Sequence, residues 1–396
     1  MAKFSLGNLL SPLSKIGSVI SIDNDLESVR FLSLNSTQKN TISLETDHYK
    51  SKAFEDDFYE MLHNVVSLRL GAKNKNGRAI LVLPDSLFFT DTIKIPYIQK
   101  KALSSSLNLA IGAIYTNHEN LKISCSLLSK NKQNATFNMV GTRKDTINKI
   151  INAVSSSVNV SGVTFAANAT VNAAIYLNPK LRNENFILLD VKERYSRFSF
   201  VINGKTVGFY SLPFGLNALS DHSVKAEISL FDHTTADLAV LNATEKAKRK
   251  NLTTLDDELD DQDLTERGDD EDFEDDGAQK SGALFKRLNR KLPKFLQRPE
   301  PTSSEQFVYE NFRPFLKWSL ELVRNNSELL SFGMPETVLV NIPEKFHFLF
   351  PMLNEKASEH KISFAPLISE DSPEIQNNLE LCGALFIKKL NKSNNF

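Results

Sequence analysis

Hydrophobic and polar residues alternate most clearly in the middle of the chain, over FILLDVKERYSRFSFVINGKTVGFYSLPFG at residues 186–215. The continuous apolar run Phe186–Val191 contains Asp190 near its end, and the residues after the next turn alternate with a period of two. A period of two is typical of β-strands, and the Asn203-Gly204 pair favours a two-residue hairpin. The pattern therefore predicts a three-stranded meander whose first strand ends in an aspartate.

A similar plan opens the chain. The sequence SVISID is followed by SVRFLSL, which predicts strands at Ser18–Ile22 and Val29–Leu34 around a corner at Asp23. Apolar residues at spacings of three and four predict helices elsewhere, whereas short apolar or alternating runs predict strands. The remaining predicted strands are Thr41–Leu44, Ala79–Leu83, Phe88–Ile95, Leu121–Leu128, Ala135–Gly141, Thr337–Asn341 and Lys361–Phe364. The predicted helices are Phe54–Leu70, Tyr97–Ile111, Lys144–Ser157, Ser303–Asn325, Phe350–Glu359 and Leu379–Leu390. The segment Val163–Leu177 is predicted to begin as a strand and end as a helix.

Residues 245–301 interrupt this pattern. Within them, residues 256–276 hold 14 Asp or Glu against one Arg, a composition that repels itself and predicts disorder. A basic amphipathic stretch follows and is a candidate segment for an anionic membrane surface or a partner. Its residues are Leu284, Phe285, Lys286, Arg287, Leu288, Arg290 and Lys291. The alternative is a flexible insertion without a function of its own, because Pro293 shortens any helix there.

Composition limits the classes of function. A chain of 396 residues is too long for one ordinary core, and a net charge of −1 gives no reason to expect a nucleic acid partner. No apolar run reaches 18 residues, so no membrane span is predicted. Cys125 and Cys382 lie in apolar runs and are predicted to be buried thiols of a reducing compartment. The seven histidines show no metal-ligand spacing, so no metal site is expected.

The order of these pieces resembles the actin-like ATPase superfamily, and within it the PilM family of type IV pilus assembly proteins; FtsA, a division protein, is a more distant likeness. The resemblance rests on SVISIDNDLESVRFLSL, AILVLPDSLFFTDTIKIPYIQKKAL, LNPKLRNENFILLDV, SLPFGLNAL and LCGALFIKKL, and it spans nearly the whole chain. It implies an α/β fold, a duplicated actin-like (ribonuclease H-type) fold with a small α+β module inserted in the first half. The implied divisions are a leader at 1–17, a first lobe at 18–80 plus 159–182, the insert at 81–158, a second lobe at 183–244 plus 302–396, and the disordered insertion at 245–301.

The resemblance also implies where a nucleotide would bind. Actin-like ATPases hold phosphates with two Asp-x-Gly hairpins, whose aspartates orient Mg²⁺ and water. The matching aspartates are Asp23 and Asp190, but Asp25 and Lys192 stand at the glycine positions. Ser196 stands near the family's Thr or Ser. The glycine-rich adenosine loop is missing as well, since no glycine occurs between Gly333 and Gly383. We therefore expect degenerate nucleotide loops, no catalytic residues and no ATP or Mg²⁺ cofactor.

The expected function is a PilM-like bacterial scaffold, a pseudo-ATPase at the cytoplasmic face of the inner membrane. The resemblance implies a PilN-like partner, a bitopic membrane protein with a short cytoplasmic N-terminal peptide. Two alternatives stay open. In the first alternative, the chain is a functional ATPase of pilus assembly in which Lys192 or a partner compensates for the missing glycines. In the second, it is an FtsA-like division protein. The polar tail KKLNKSNNF disfavours the second alternative, because an FtsA-like protein usually ends in an amphipathic membrane helix.

Overall fold

A computed structural model describes residues 2–5, 17–23, 28–35, 41–48, 56–70, 77–96, 102–115, 118–212, 215–217, 333, 337–358, 362–367 and 378–390. The predicted acidic and basic insertion at 245–301, including the candidate segment from Leu284 to Lys291, lies outside these residues. The predicted helix Ser303–Asn325 lies outside them as well. Within the described residues, no helix is both long and apolar enough to cross a bilayer.

The first lobe is built on a mixed sheet whose described strands run in the order β1-β4-β3-β2-β5-β9. Strands β1 to β4 pair antiparallel, whereas β2, β5 and β9 are parallel neighbours. Helices α1 and α3 cover one face of this sheet with apolar side chains. The bounds are β1 Ala2–Ser5, β2 Ser18–Ile22, β3 Ser28–Asn35, β4 Thr41–His48, α1 Asp56–Leu70, β5 Arg78–Leu83, α3 Lys144–Ser155 and β9 Asn159–Phe165.

The second lobe repeats this arrangement. Its described strands run in the order β12-β11-β10-β13-β14, with an antiparallel meander on one side and the parallel strands β13 and β14 on the other. The hairpin between β11 and β12 turns at Asn203 and Gly204, both at positive φ, as the Asn-Gly pair predicts. The bounds are β10 Phe186–Val191, β11 Ser196–Ile202, β12 Lys205–Leu212, β13 Thr337–Asn341, α5 Leu349–Ala357 and β14 Ser363–Pro366.

A third, smaller sheet lies between β5 and β9 in the chain, with its strands in the order β6-β8-β7. Helix α2 packs on one face through a small apolar cluster, and the other face turns toward the two lobes. The bounds are β6 Phe88–Pro96, α2 Leu103–Ile114, β7 Leu121–Lys130 and β8 Asn134–Arg143. Helix α2 begins later than the predicted Tyr97, after the strand β6 that ends at Pro96.

Two helices lie between the two large sheets, and each packs against the sheet of the lobe that it does not follow in the chain. Helix α4 (Ala166–Leu177) follows the first sheet in the chain but packs against β11 and β12 of the second. Helix α6 (Leu379–Leu390) closes the chain and packs against β2 and β5 of the first sheet. The helices touch so closely that a Cβ at Gly383 would lie 1.8 Å from the Ala169 carbonyl oxygen. Side chains from both sheets and both helices thus form one apolar interlobe core.

Some residues lie elsewhere than the implied divisions place them. Residues 81–83 and α3, assigned by the resemblance to the insert, contribute to the core of the first lobe. Residues 2–5, assigned to a leader, form the edge strand β1. The alternation of apolar residues does not reveal β1, because four residues are too few to establish a period. The remaining boundaries stay predictions.

Candidate functional site

The two predicted aspartate corners lie at matching places in the two sheets. Asp23 directly follows β2, and Asp190 is the penultimate residue of β10. Val19 and Leu188 point into the interlobe core, so strand alternation directs Asp23 and Asp190 toward the same interface. Ligands of open α/β sheets bind beyond the carboxyl ends of the strands, which is where both aspartates lie.

At the first corner, Asp23 is held by two side chains of β3. Arg30 donates from Nε and Nη2 to Asp23 Oδ1 at 3.1 and 2.5 Å, and Ser28 Oγ donates to the other carboxylate oxygen. Arg30 Nη2 also pairs with Glu380 Oε1 of α6. The Asp23 and Arg30 side chains are 14% and 13% exposed, so water reaches the edge of this corner.

At the second corner, Asp190 is fully buried and surrounded by donors. Asn341 Nδ2, opposite Asp190 across the β10–β13 pairing, donates to Oδ1 at 2.7 Å. Oδ2 lies 3.1 Å from Lys192 Nζ and 3.4 Å from Arg197 Nη1. Both oxygens of Asp190 therefore already face donors of the protein.

Arg197 is the centre of the second corner, and its side chain is 0% exposed. Nε pairs with Asp85 Oδ2, and Nη1 lies 3.1 Å from Thr170 Oγ1 and 3.2 Å from Glu380 Oε2. Burial alone lowers the pKa of this guanidinium, but Asp85, together with Tyr195 and Asp190, outweighs burial, so the pKa lies above its ordinary value. Arg197 is therefore charged in the folded protein.

Together these side chains form a charged cluster of four carboxylates and three cations. Burial, with help from the charges of Arg30 and Arg197, lowers the pKa of Lys192, and Asp190 opposes that shift. The Tyr195 phenol, which accepts from Arg197 Nη2 at 3.3 Å, has its pKa raised by burial. The charged cluster consists of Asp23, Arg30, Asp85, Asp190, Lys192, Arg197 and Glu380.

The turn between β10 and β11 is closed by its own backbone. Lys192 N donates to Tyr195 O at 2.9 Å, and the carbonyl oxygens of Lys192 and Glu193 accept from Leu216 N and Asn217 N. Gly215 permits this docking, since a Cβ there would lie 2.4 Å from the Glu193 carbonyl oxygen. The segment after β12 therefore packs directly against the second corner.

No glycine-rich loop follows β13. Pro343 begins a short 3₁₀ helix at Glu344–Phe346, and Phe346 packs into the apolar core of the second lobe. Leu349 and Phe350 belong to the same core, so the apolar side chains that follow β13 pack inside the second lobe. This backbone lacks the glycine that would allow a ligand to approach closely.

The residues present do not fit a magnesium nucleotide in this arrangement. Mg²⁺ sites need carboxylate oxygens and waters, yet both oxygens of Asp23 and of Asp190 are engaged by protein donors. Lys192 is the one predicted residue with the charge to contact a phosphate, and it lies against Asp190. Ser196 is buried at the start of β11.

Of the residues predicted from the sequence, Asp23, Asp190 and Lys192 belong to the charged cluster, and Ser196 is buried at the start of β11. Arg30, Asp85, Arg197 and Glu380 were not among the candidates. One signal was available, because an arginine follows each corner aspartate by seven residues in both halves. Arginine at a position where alternation predicts an inward side chain needs a buried partner.

The remaining candidate chemistry is sparse. Among the described residues, no group of three or more His, Cys, Asp and Glu has the geometry of a metal site. Both cysteines are free, with Cys382 buried and Cys125 only partly buried. Burial raises the pKa of Cys382 to about 12 and that of Cys125 to about 11, so neither is a reactive thiolate at neutral pH.

No family model and no curated protein matches this sequence. Among solved structures, the chain is similar to a PilM–PilN type IV pilus biogenesis complex, with a TM-score of 0.52 and 11% identity over 93% of this chain and 98% of the other. It also matches the cytoplasmic domain of EpsL, an inner membrane component of the type II secretion system of Vibrio cholerae, with a TM-score of 0.35 and 14% identity over 52% of this chain and 76% of that one. A third match is the ethanolamine utilization protein EutJ from Carboxydothermus hydrogenoformans, with a TM-score of 0.36 and 9% identity over 93% of this chain and 89% of that one.

The likeness to the PilM–PilN complex extends over nearly all of both chains, and at 11% identity it is a likeness of fold. It agrees with the two similar sheets, the two helices between them and the inserted module. The chain has a mixed α/β, actin-like fold.

Proposed function

We propose that the chain is a protein-binding scaffold of a type IV pilus or a related secretion machine, and that it works without hydrolysing a nucleotide. One observation supports the proposal that the chain does not hydrolyse a nucleotide. The carboxylates of both corners are neutralised from within the protein by Arg30, Lys192 and Arg197. A scaffold keeps the fold as a platform, whereas an ATPase needs these carboxylates for its metal.

Electrostatics supports the same conclusion. Arg197 and Asp190 have almost no contact with water, and withdrawing Asp190 to bind a metal would remove one of the three carboxylates that the buried guanidinium contacts. A hydrogen bond to a charged group contributes about 1.5–3 kcal/mol, which the binding of a metal would have to offset. The likeness to a PilM–PilN complex supports the pilus or secretion setting.

The partner we propose is a PilN-like bitopic membrane protein that reaches the scaffold through a short cytoplasmic peptide. This places the chain at the cytoplasmic face of the inner membrane, held there by its partner. The described residues contribute no membrane-spanning helix of their own.

Isothermal titration calorimetry with Mg·ATP tests the absence of nucleotide chemistry. We expect no binding heat at high protein concentration. An affinity tighter than about 100 µM, equivalent to about 5.5 kcal/mol, that is lost in Asp190→Ala would contradict the proposal. Asp145→Ala is the matched control, because it removes an exposed carboxylate on α3, away from both corners.

A second experiment tests the scaffold role. The tagged full chain, purified from detergent-solubilised membranes of its own organism, should bring down a bitopic membrane protein that mass spectrometry identifies. The tag alone is the control. Recovery of soluble enzymes only, with no membrane protein enriched over the tag, would favour a different setting for the fold.

A further inference from the structure

The interface between the two lobes contains a large apolar core, and the charged cluster crosses it. Arg197 lies on β11 of the second lobe, and Asp85 lies in the 3₁₀ turn (Asp85–Leu87) directly after β5 of the first lobe. Their ion pair therefore joins the lobes without an intermediary. A second link runs through Glu380, whose two carboxylate oxygens take Arg30 from the first sheet and Arg197 from the second.

Each carboxylate in these links has both oxygens committed. Asp85 Oδ1 accepts from Ala167 N at 2.7 Å while Oδ2 pairs with Arg197. Glu380 Oε1 also accepts from Ser21 Oγ at 3.2 Å. The hydrogen bonds from Ala167 N and Ser21 Oγ therefore orient the Asp85 and Glu380 carboxylates toward the arginines with which they pair.

Burial makes this geometry sensitive to small displacements. A slide of one lobe past the other by one or two ångströms is too small to admit water, so it would leave Arg197 buried without its partners. A large opening would hydrate the charges but would also expose the apolar interlobe core around α4 and α6. Both movements are therefore unfavourable, and the observed arrangement satisfies the charges and the core together.

We propose that Arg30, Asp85, Arg197 and Glu380 form an interlobe latch, a built-in device that fixes the relative position of the two lobes without any bound ligand. The consequence is a platform of constant shape, with surfaces from both lobes and the insert presented in one arrangement. The latch does not depend on which machine or partner the chain serves.

Pulsed electron resonance between spin labels on the two lobes tests the latch in the full chain. Asn152 on α3 and Glu344 after β13 are exposed and provide the label positions once replaced by cysteine, in a Cys125→Ser background. The test variants are Asp85→Asn and Glu380→Gln, which keep the shape of the side chain and remove its charge. The amide oxygen introduced by Asp85→Asn can still accept the hydrogen bond from Ala167 N, so the start of α4 keeps that contact.

We expect a single narrow distance distribution in the parent protein and at least a twofold wider one, or a second longer distance, in each variant. Glu119→Gln, an exposed change on the insert, should leave the distribution unchanged. If Asp85→Asn and Glu380→Gln do not fold, Arg30→Lys is the replacement, because it lies at the partly exposed end and should give a smaller widening.

Variants that lose stability to urea but keep the parent distribution would overturn the latch, since the charges would then stabilise each lobe without fixing the two together. If Mg·ATP restores the narrow distribution in Glu380→Gln, the latch is supported but the proposed lack of nucleotide binding is contradicted. The two proposals therefore fail by different results.

Discussion

The two aspartate corners hold the same pair of residues in different surroundings. In each half an arginine seven residues after the aspartate turns back to contact it, Arg30 to Asp23 and Arg197 to Asp190. The first pair is 13–14% exposed, whereas the second has essentially no contact with water. The second corner also has more partners, since Asn341 donates to Asp190, Lys192 pairs with Asp190, and Thr170 Oγ1 accepts from Arg197.

The difference shows that burial determines how many partners a charge needs. At the water-accessible corner, one arginine and one serine are enough for Asp23. At the dry corner, the Arg197 guanidinium contacts three carboxylates, a hydroxyl and a phenol. A charge moved into a medium of low dielectric constant loses its hydration and must recover that free energy from fixed protein groups.

The largest effect is expected for Arg197→Met. This variant removes the cation that pairs with Asp85, Asp190 and Glu380 and leaves buried carboxylates facing one another. The free energy of unfolding should fall by about 3–5 kcal/mol, measured by urea denaturation at pH 7. Arg143→Met, at an exposed arginine before α3, should change stability by no more than about 0.5 kcal/mol. Equal losses in both variants would mean that the second corner has no special role in stability.

A smaller loss is expected for Arg30→Met at the first corner. Water can partly replace the guanidinium at Asp23, although Glu380 loses its ion pair with Arg30 and keeps the one with Arg197. The expected cost is about 1.5–3 kcal/mol, the range for hydrogen bonds to charged groups. The comparison between the corners fails if Arg30→Met costs as much as Arg197→Met under the same urea conditions.

Lys192 should make the contribution of the second corner to the free energy of unfolding depend on pH. Its pKa in the folded protein is lowered from 10.5, so the unfolded chain binds more protons between the lowered value and 10.5. The stability of the parent protein should therefore rise relative to Lys192→Met as the pH increases through that window. Urea midpoints of both proteins between pH 7 and 10.5 measure the difference. A constant difference across this range would show that Lys192 has an ordinary pKa in the folded protein.

Sequence patterns predicted most of the described strands, though not β1, together with the two meanders and the places of Asp23 and Asp190, because these depend on local periodicity. They did not predict the partners of the aspartates across the interface. Ser21 and Glu380 are 359 residues apart, and Asp85 and Arg197 are 112 apart, so no local period connects them. The repeated seven-residue interval from Asp to Arg is the exception, since it lies within one hairpin in each half.

The predicted nucleotide loops also show that a sequence pattern identifies a position but not its partner in space. The absence of glycine at the corners and after β13 is visible in the sequence and predicts that phosphate cannot approach the backbone closely. The partners of the two aspartates are visible only in three dimensions, because Arg30 and Arg197 occur within strands and their side chains meet carboxylates from distant parts of the chain. Strand alternation gives the face that each arginine occupies but not the carboxylates that meet it there.

The smallest effect is expected for Ser28→Ala at the first corner. Ser28 Oγ donates to Asp23 Oδ2, and the variant leaves that oxygen to water, which already reaches this edge of the cluster. The loss should be about 0.5–1 kcal/mol, because a solvent-accessible acceptor keeps a hydrogen-bond partner after the change. Asn341→Ala is the corresponding change at the dry corner, where it removes the donor to Asp190 Oδ1 on a carboxylate side chain that is only 1% exposed. Urea denaturation of both variants should give a larger loss for Asn341→Ala, and the reverse order would mean that exposure does not set the difference between the corners.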